Sequence, residues 1–301
     1  MDITAPRFTN EDSAREHLEA LRWPDGAECP HCGLIDATKL TGSHHRPGLY
    51  QCNSCREQFT VTVGTVFERS KVGLHKWLLA THLLCASKKG MSAKQIERML
   101  GVTYKTAWFM CHRIREAMKD DGSPLGGSGQ IVEADEAFVG GKKGNRLSGK
   151  TAPAKKVVAL IERDGRARSF HVANLHANNL RSALVTNVDR QSYLMTDEAY
   201  AYRLVGKEFA MHGRVLHSIR EFAKAGGVVH SNTAENFFSI LKRGVIGTYH
   251  HWSAAHMHRY LAEFDFRYST KGSNDFERSE ICLKNIAGKR LTYRRANPLA
   301  A

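Results

Sequence analysis

Apolar residues recur at intervals of three and four along the first part of the chain, which is the pattern of amphipathic helices. The first such pattern spans residues 9–23, and residues 13–16 within it fit a capping box. A second helical pattern spans residues 74–87. Between them, residues 27–67 contain β-prone runs such as 58–63. The pattern therefore predicts a short β-rich segment flanked by two helices.

Two more helices are predicted directly afterwards, separated by a short turn. Ser92 is the expected cap of a helix that Gly101 ends, and Thr103 is the expected cap of a longer basic helix that reaches about residue 118. This succession is typical of a helix-turn-helix motif that binds DNA, and it is equally typical of any packed helical hairpin.

The pattern changes after a linker rich in glycine and serine at residues 122–129. Alternating or continuously apolar runs then predict strands at 131–139, 156–162, 167–172 and 192–195, whereas helical spacing appears at 175–188, 233–245 and 253–268. Three strands, a helix, a fourth strand and further helices indicate a mixed α/β domain.

The net charge narrows the choice of partners. The chain of 301 residues has 44 Lys and Arg against 30 Asp and Glu, a net charge of +14, which favours nucleic acid or an anionic membrane surface. Its apolar runs are shorter than the ~18 residues that a membrane-spanning helix needs. Because the first residues, MDIT, also differ from a signal peptide, we expect a cytoplasmic protein that binds DNA rather than a membrane.

Four of the seven cysteines form two CxxC pairs. The pairs are Cys29 with Cys32 and Cys52 with Cys55, and nineteen residues separate them. Two such pairs at this spacing predict one structural zinc ion in a zinc ribbon, because four thiolates close a tetrahedral shell. His31 is a poorer ligand candidate, and duplication of the motif disfavours a redox role. The other cysteines are expected to be small buried side chains.

Two aspartates lie where strands are predicted. Asp135 is in the middle of the strand at 131–139, and alternation puts it on the same face as Glu133. Asp197 follows the apolar run 193–195, at the carboxyl end of a strand, where α/β sheets commonly bind ligands. Since a carboxylate within a strand is costly unless it is solvated, paired or bound to metal, both are candidate site residues.

A third acid lies in the helix predicted at 233–245. Glu235, Ser239 and Lys242 fall on one stripe of this helix, whereas the apolar side chains of Phe237, Leu241 and Val245 form another. Two aspartates and a glutamate are a suitable ligand set for two Mg²⁺ ions, which together catalyse phosphoryl transfer. For any one of these residues alone the simpler structural explanation is the better one, which for Glu235 is the helix dipole and for Lys242 is solvation.

The segments around these acids resemble a known family. VEADE (132–136), MTDEAY (195–200) and HSNTAENFFSILKRG (230–244), together with the zinc ribbon, are similar to bacterial insertion-sequence transposases with an ISXO2-like catalytic domain. The resemblance covers nearly the whole chain. It implies an RNase H-like fold, a DDE triad of Asp135, Asp197 and Glu235 that holds two Mg²⁺, and a catalytic role for Lys242.

The resemblance also implies a function and a domain order. Such a transposase binds double-stranded DNA at terminal inverted repeats, hydrolyses phosphodiester bonds at the element ends and transfers strands into target DNA, with pairing of ends by a homo-oligomer. The expected order is an N-terminal helix (1–24), the zinc ribbon (25–68), the helix-turn-helix region (69–121), the linker (122–129) and the RNase H-like domain (130–301).

Basic residues in three places are the expected DNA contacts. They are Lys105, Arg113 and Arg115 in the second helix of the hairpin, Lys142, Lys143 and Arg146 in a basic run, and Lys242 and Arg243 after the third acid. The basic run is equally compatible with a solvated loop. Four histidines between 250 and 258 form a rival metal cluster, although their spacing favours phosphate contacts or packing.

A second function is a DNA-binding regulator derived from a transposase. The zinc ribbon and the helical hairpin would serve such a regulator as well as an enzyme. The intact acidic triad favours the enzyme, because a regulator has no need of it.

Overall fold

The computed structural model describes residues 2–141, 154–163, 165–197, 199–215 and 228–292. The chain forms two compact units. One unit comprises Met1–Met118 with Gly272–Arg295, and the other comprises Lys119–Lys271.

The first unit begins with two helices, α1 (Pro6–Thr9) and α2 (Glu11–Arg22). The cap of α2 is Asn10, whose side chain accepts a hydrogen bond from the backbone N–H of Ser13. The predicted capping box at residues 13–16 is therefore wrong, because helix α2 starts earlier and these residues lie inside it.

A small antiparallel sheet follows, formed by β1 (Ala37–Lys39), β2 (Tyr50–Cys52) and β3 (Gln58–Phe59). It is held from one side by a cluster of three aromatic rings. The ring centroid of Trp23 lies 5.2 Å from that of Tyr50 and 5.7 Å from that of Phe59. Only the first two residues of the predicted run 58–63 are in a strand, and residues 61–64 form a turn.

The next three helices are α3 (Leu74–Ala86), α4 (Ala93–Leu100) and α5 (Tyr104–Ala117). The predicted caps are confirmed, since Ser92 accepts from the backbone of Gln95 and Thr103 from that of Thr106. Gly101 ends α4 with φ +61°, a conformation that glycine adopts without strain. Helices α4 and α5 are thus joined by three residues.

The second unit contains a five-stranded sheet. Its strands are β4 (Ile131–Val139), β5 (Lys155–Glu162), β6 (Ala167–Val172), β7 (Tyr193–Thr196) and β8 (Met211–Arg214), in the spatial order β6-β5-β4-β7-β8. The first three strands form an antiparallel meander, and β7 and β8 extend it in parallel from β4. This topology is the RNase H-like fold that the resemblance implies.

Helices cover both faces of this sheet. Helix α6 (Ala177–Asn187) and the short α7 (Tyr202–Val205), which continues into a 3₁₀ turn at Gly206–Glu208, pack on one face against Val132, Ala134 and Leu160. On the other face lie α8 (Asn232–Gly244), a π-helical turn (Val245–Tyr249) and α9 (Ala254–Ser269). They pack against Ala137, Val139 and Ala159, as the alternation of strand β4 predicts.

The last described helix, α10 (Asp275–Lys284), belongs to the first unit. Its Arg278 donates to the carbonyl oxygen of Cys85 in α3 at 3.2 Å, and farther on the backbone N–H of Val66 donates to the carbonyl of Ile286 at 3.2 Å. The sequence prediction assigned the whole of 130–301 to the catalytic domain. The structure instead groups residues 272–292 with the N-terminal unit, because α10 buries its apolar side chains there.

Within the described ranges, the chain has no helix that is both long and apolar enough to cross a membrane.

Candidate active site

The four ribbon cysteines converge in the first unit. All four Sγ atoms lie within 4.8 Å of one another, and the pairs Cys29–Cys55 and Cys32–Cys52 are each separated by 3.6 Å. A tetrahedron with Zn–S bonds of about 2.3 Å has sulfur atoms about 3.8 Å apart, so the donor set fits one zinc ion.

The backbone around the second CxxC pair favours a thiolate at Cys52. The N–H of Cys55 points at the Cys52 Sγ from 3.5 Å and, with the N–H of Ser54, lowers the pKa of the Cys52 thiol to about 7. In the same pair, burial and the neighbouring thiols of Cys52, Cys29 and Cys32 raise the pKa of Cys55 to about 12, so the backbone favours deprotonation of only one of these two zinc ligands.

The two predicted aspartates lie on neighbouring strands of the second unit. Asp135 is in the middle of β4, and Asp197 directly follows β7. The parallel register pairs Ala134 with Thr196, so the next residue on each strand is one of the two aspartates. Neighbouring strands are about 4.8 Å apart, which places both carboxylates at the same end of the strand pair.

Glu235 lies in the first turn of α8, and its side chain is exposed. Ser239 and Lys242 are exposed as well, whereas the predicted apolar stripe of Phe237, Leu241 and Val245 is buried against the sheet. The amphipathic pattern of this helix is therefore confirmed.

The charges of the triad act on Asp135. Burial of this side chain, followed by the nearby charges of Glu136, Asp197 and Glu235, raises its pKa from 3.8 to about 7. Both other members of the predicted triad thus lie close enough to Asp135 to interact with its charge. The pairing of β4 with β7 brings Asp135 and Asp197, which are far apart in the sequence, to neighbouring strands.

The acidic site is more open than the cysteine site. Among the described residues, the four cysteines are the one set of three or more His, Cys, Asp or Glu ligand atoms that all lie within 4.8 Å of one another. One Mg²⁺ with ligands at about 2.1 Å needs oxygens within about 4.2 Å of one another. Asp135, Asp197 and Glu235 do not form such a set, so as placed in this structure they do not all reach one ion.

A fourth carboxyl group, which the sequence analysis did not single out, borders the site. Glu136 accepts a hydrogen bond from the hydroxyl of the buried Tyr202 in α7, and burial together with the charge of Asp197 raises its pKa. This bond connects β4 to the helix that follows Asp197. The sequence signal was the acid next to Asp135, but its partner lies 66 residues away.

Two of the predicted DNA contacts, Arg113 and Arg115, have buried side chains. Arg113 is 9% exposed and Arg115 is 2% exposed. Arg113 lies over the ring of Phe109 and donates to the carbonyl oxygens of Glu68 and Leu291 at 3.0 and 3.2 Å. The Arg113 side chain is thus held by contacts within the first unit.

The remaining predicted DNA contacts divide into two groups. Lys105, Lys242 and Arg243 are exposed, as a phosphate contact requires. Lys142, Lys143 and Arg146 lie outside the described residues. The histidines between 250 and 258 do not form a set of ligand atoms within 4.8 Å in the part of the chain that is described.

Comparison with known families identifies two domains in the chain. The profile of the transposase zinc-ribbon domain matches residues 9–58, and that of the ISXO2-like transposase domain matches residues 124–269. The chain belongs to this family of insertion-sequence transposases. A relative from Halobacterium salinarum, named as an uncharacterized protein in transposable element ISH50, is 29% identical over 254 residues, which is 78% of this chain and 83% of the relative.

Each of the two candidate sites lies within one of the matched segments. The zinc-ribbon match contains all four cysteines, and the ISXO2-like match contains Asp135, Asp197, Glu235 and Lys242. The helices α3 to α5 and the C-terminal helix α10 lie outside both matches.

Proposed function

We propose that this protein is an active DDE transposase that binds the terminal inverted repeats of its element, cuts at the element ends and transfers the cut strands into target DNA. The observation that carries the proposal is the parallel register of β4 and β7, which puts Asp135 and Asp197 on neighbouring strands of an RNase H-like sheet. The raised pKa of Asp135, to which burial and then the charges of Glu136, Asp197 and Glu235 contribute, supports it. Family membership and a net charge of +14 support DNA as the substrate.

Asp135, Asp197 and Glu235 would hold two Mg²⁺ ions. When bound, the ions would activate the attacking oxygen and stabilise the leaving oxygen of an in-line displacement. In the first reaction, water attacks a phosphodiester and releases a 3′-hydroxyl. In the second, that hydroxyl attacks a target phosphodiester, so one P–O bond forms as another breaks and no ATP is needed.

The chain's own side chains would place the DNA. Lys242 lies seven residues after Glu235 on the same exposed stripe of α8, from which an ammonium group can hold a phosphate next to the scissile bond. In the first unit, the zinc ribbon and the helix pair α4–α5 would bind the inverted repeats. A homo-oligomer on DNA would bring the two ends together.

Lys105 and Arg113 lie on the same helix. Comparing variants of the two distinguishes a side chain that contacts DNA from one that stabilises the fold. We expect Lys105→Ala to weaken binding of end DNA and to reduce the salt dependence by about one phosphate contact. We expect Arg113→Ala to lower the free energy of unfolding by about 2–3 kcal/mol and to leave the salt slope unchanged. Fluorescence anisotropy over a KCl series and urea unfolding measure both effects. A changed salt slope in Arg113→Ala would contradict the assignment.

The test of the proposed function is cleavage of duplex DNA that carries the repeats flanking the coding region. The parent protein should cut it in the presence of Mg²⁺ or Mn²⁺, and Asp197→Asn should bind it without cutting. Glu208→Gln is the matched control, because Glu208 forms ion pairs with Arg181 and Arg190 and is not a member of the predicted triad. Equal cutting by Asp197→Asn, or no cutting by the parent, would rule out the enzymatic function and favour the alternative of a DNA-binding regulator.

A further inference from the structure

The N-terminus of helix α8, which carries Glu235, is capped by a side chain from another element of the fold. The side chain of its cap residue, Ser231, makes no capping hydrogen bond. Instead the carboxylate of Glu133, on strand β4, accepts hydrogen bonds from the backbone N–H groups of Thr233 and Ala234 at 2.8 and 3.1 Å. It also accepts from the Thr233 hydroxyl at 2.8 Å. The cap is thus supplied by the sheet.

Glu133 is fully buried, and a buried carboxylate needs compensation. Arg163, just after β5, donates from Nε to Glu133 Oε1 at 2.7 Å. The same guanidinium donates to the carbonyl oxygens of Val228 and His230 at 2.6 and 3.1 Å. Arg163 therefore both neutralises Glu133 and fastens the segment that leads into α8.

These contacts connect two of the catalytic acids through a short path. Glu133 lies two residues before Asp135 on the same face of β4, and its partners Thr233 and Ala234 directly precede Glu235. Because the bonds go to backbone amides in the first turn, they fix the axial position and rotation of α8 at the end where Glu235 projects.

We propose that Glu133 is a positioning residue for the metal site: it sets the distance between Asp135 and Glu235 by capping α8 from the sheet, with Arg163 as its counter-ion. This inference rests on the proposed function. Glu133 itself would hold no cation, because its oxygens already accept from Arg163, Thr233 and Ala234.

The experiment measures Mn²⁺ binding to the full chain by isothermal titration calorimetry, without DNA. We expect Glu133→Gln, which keeps the shape but removes the charge, to bind Mn²⁺ about tenfold more weakly than the parent, as is typical when a group that orients a metal ligand is lost. Thr233→Ala loses one hydrogen bond and keeps the backbone bonds, so a smaller loss in the same direction is expected.

Asp265→Asn is the matched structural control. Asp265 in α9 is a buried carboxylate that binds the backbone N–H and hydroxyl of Ser169 in β6 at 3.0 and 2.6 Å. Its replacement also disturbs hydrogen bonds between a helix and the sheet, but those bonds do not involve α8. We expect Asp265→Asn to leave the Mn²⁺ affinity unchanged.

Hydrogen exchange of the first turn of α8 provides the second measurement. In Glu133→Gln, the amides of Thr233 and Ala234 should exchange faster, whereas those of β4 should remain protected. Unchanged Mn²⁺ affinity in Glu133→Gln, or an equal loss in Asp265→Asn, would overturn the positioning role alone. Absence of Mn²⁺ binding by the parent would overturn the proposed function and this inference with it.

Discussion

Replacing Cys52 by serine is expected to remove the zinc ion and to unfold the ribbon. The three strands of this sheet contain three, three and two residues, too few to be stable without another source of free energy. Structural zinc supplies about 10–16 kcal/mol in small zinc domains, so the metal dominates the local balance. The aromatic contacts of Trp23 with Tyr50 and Phe59 depend on the strand pairing and should be lost together with it.

Metal content and fluorescence distinguish this outcome from a general loss of stability. Mass spectrometry under native conditions should find one zinc ion per parent chain and none in Cys52→Ser, and the tryptophan emission should shift towards that of solvated indole. Cys282→Ala is the control, because Cys282 is buried in α10 of the same unit but is not part of the cysteine cluster. A Cys52→Ser protein that keeps the ribbon fold without zinc would contradict the assignment.

The sequence pattern correctly predicted those elements that local interactions determine. Strands β4 and β6 begin and end where alternation predicted, and Ser92 and Thr103 cap α4 and α5. Strand β8, Met211–Arg214, was not predicted, since it contains histidine, glycine and arginine and is a strand because it pairs with β7. Its pairing depends on tertiary structure, which the local pattern does not contain.

Helix α10 shows the same limit differently. Its capping box, with Asn274 and Glu277, is a local signal that sequence analysis could have found. Its place in the N-terminal unit could not be found in that way, because it depends on contacts with residues almost two hundred positions earlier, such as that of Arg278 with Cys85.

In the candidate site, too, local patterns predicted some features and could not predict those that depend on tertiary contacts. Asp135, Asp197 and Glu235 were predicted from their elements and from the family resemblance, and the charges of Asp197 and Glu235 contribute to the raised pKa of Asp135. Glu133 was correctly placed on the face of Asp135, but its partners Arg163 and Thr233 lie 30 and 100 residues away. Alternation shows which way a side chain points and does not show what it meets there.

Asp135→Asn is expected to make the cation-free protein more stable at neutral pH while abolishing cleavage. The folded protein keeps a proton on Asp135 up to a pKa of about 7, whereas the unfolded chain releases it near 3.8. The stability of the parent is therefore highest below pH 4 with respect to this group, and it falls by about 1.4 kcal/mol per pH unit between these values. The total loss is up to about 4 kcal/mol, and asparagine avoids it.

Urea unfolding of the zinc-loaded protein from pH 5 to pH 8 measures this difference, after dialysis has removed Mg²⁺ and Mn²⁺ so that no cation compensates the charge at the acidic site. Asp135→Asn should gain on the parent as the pH rises, and Mn²⁺ should then restore the stability of the parent without affecting the variant. Glu208→Gln should show the opposite trend, because hydrogen bonds from Arg181 lower the pKa of Glu208 and its charge stabilises the fold above pH 4. Parallel stability curves for Asp135→Asn and the parent would show that Asp135 is not held in a repulsive acidic site, and the cation would then have no charge to compensate.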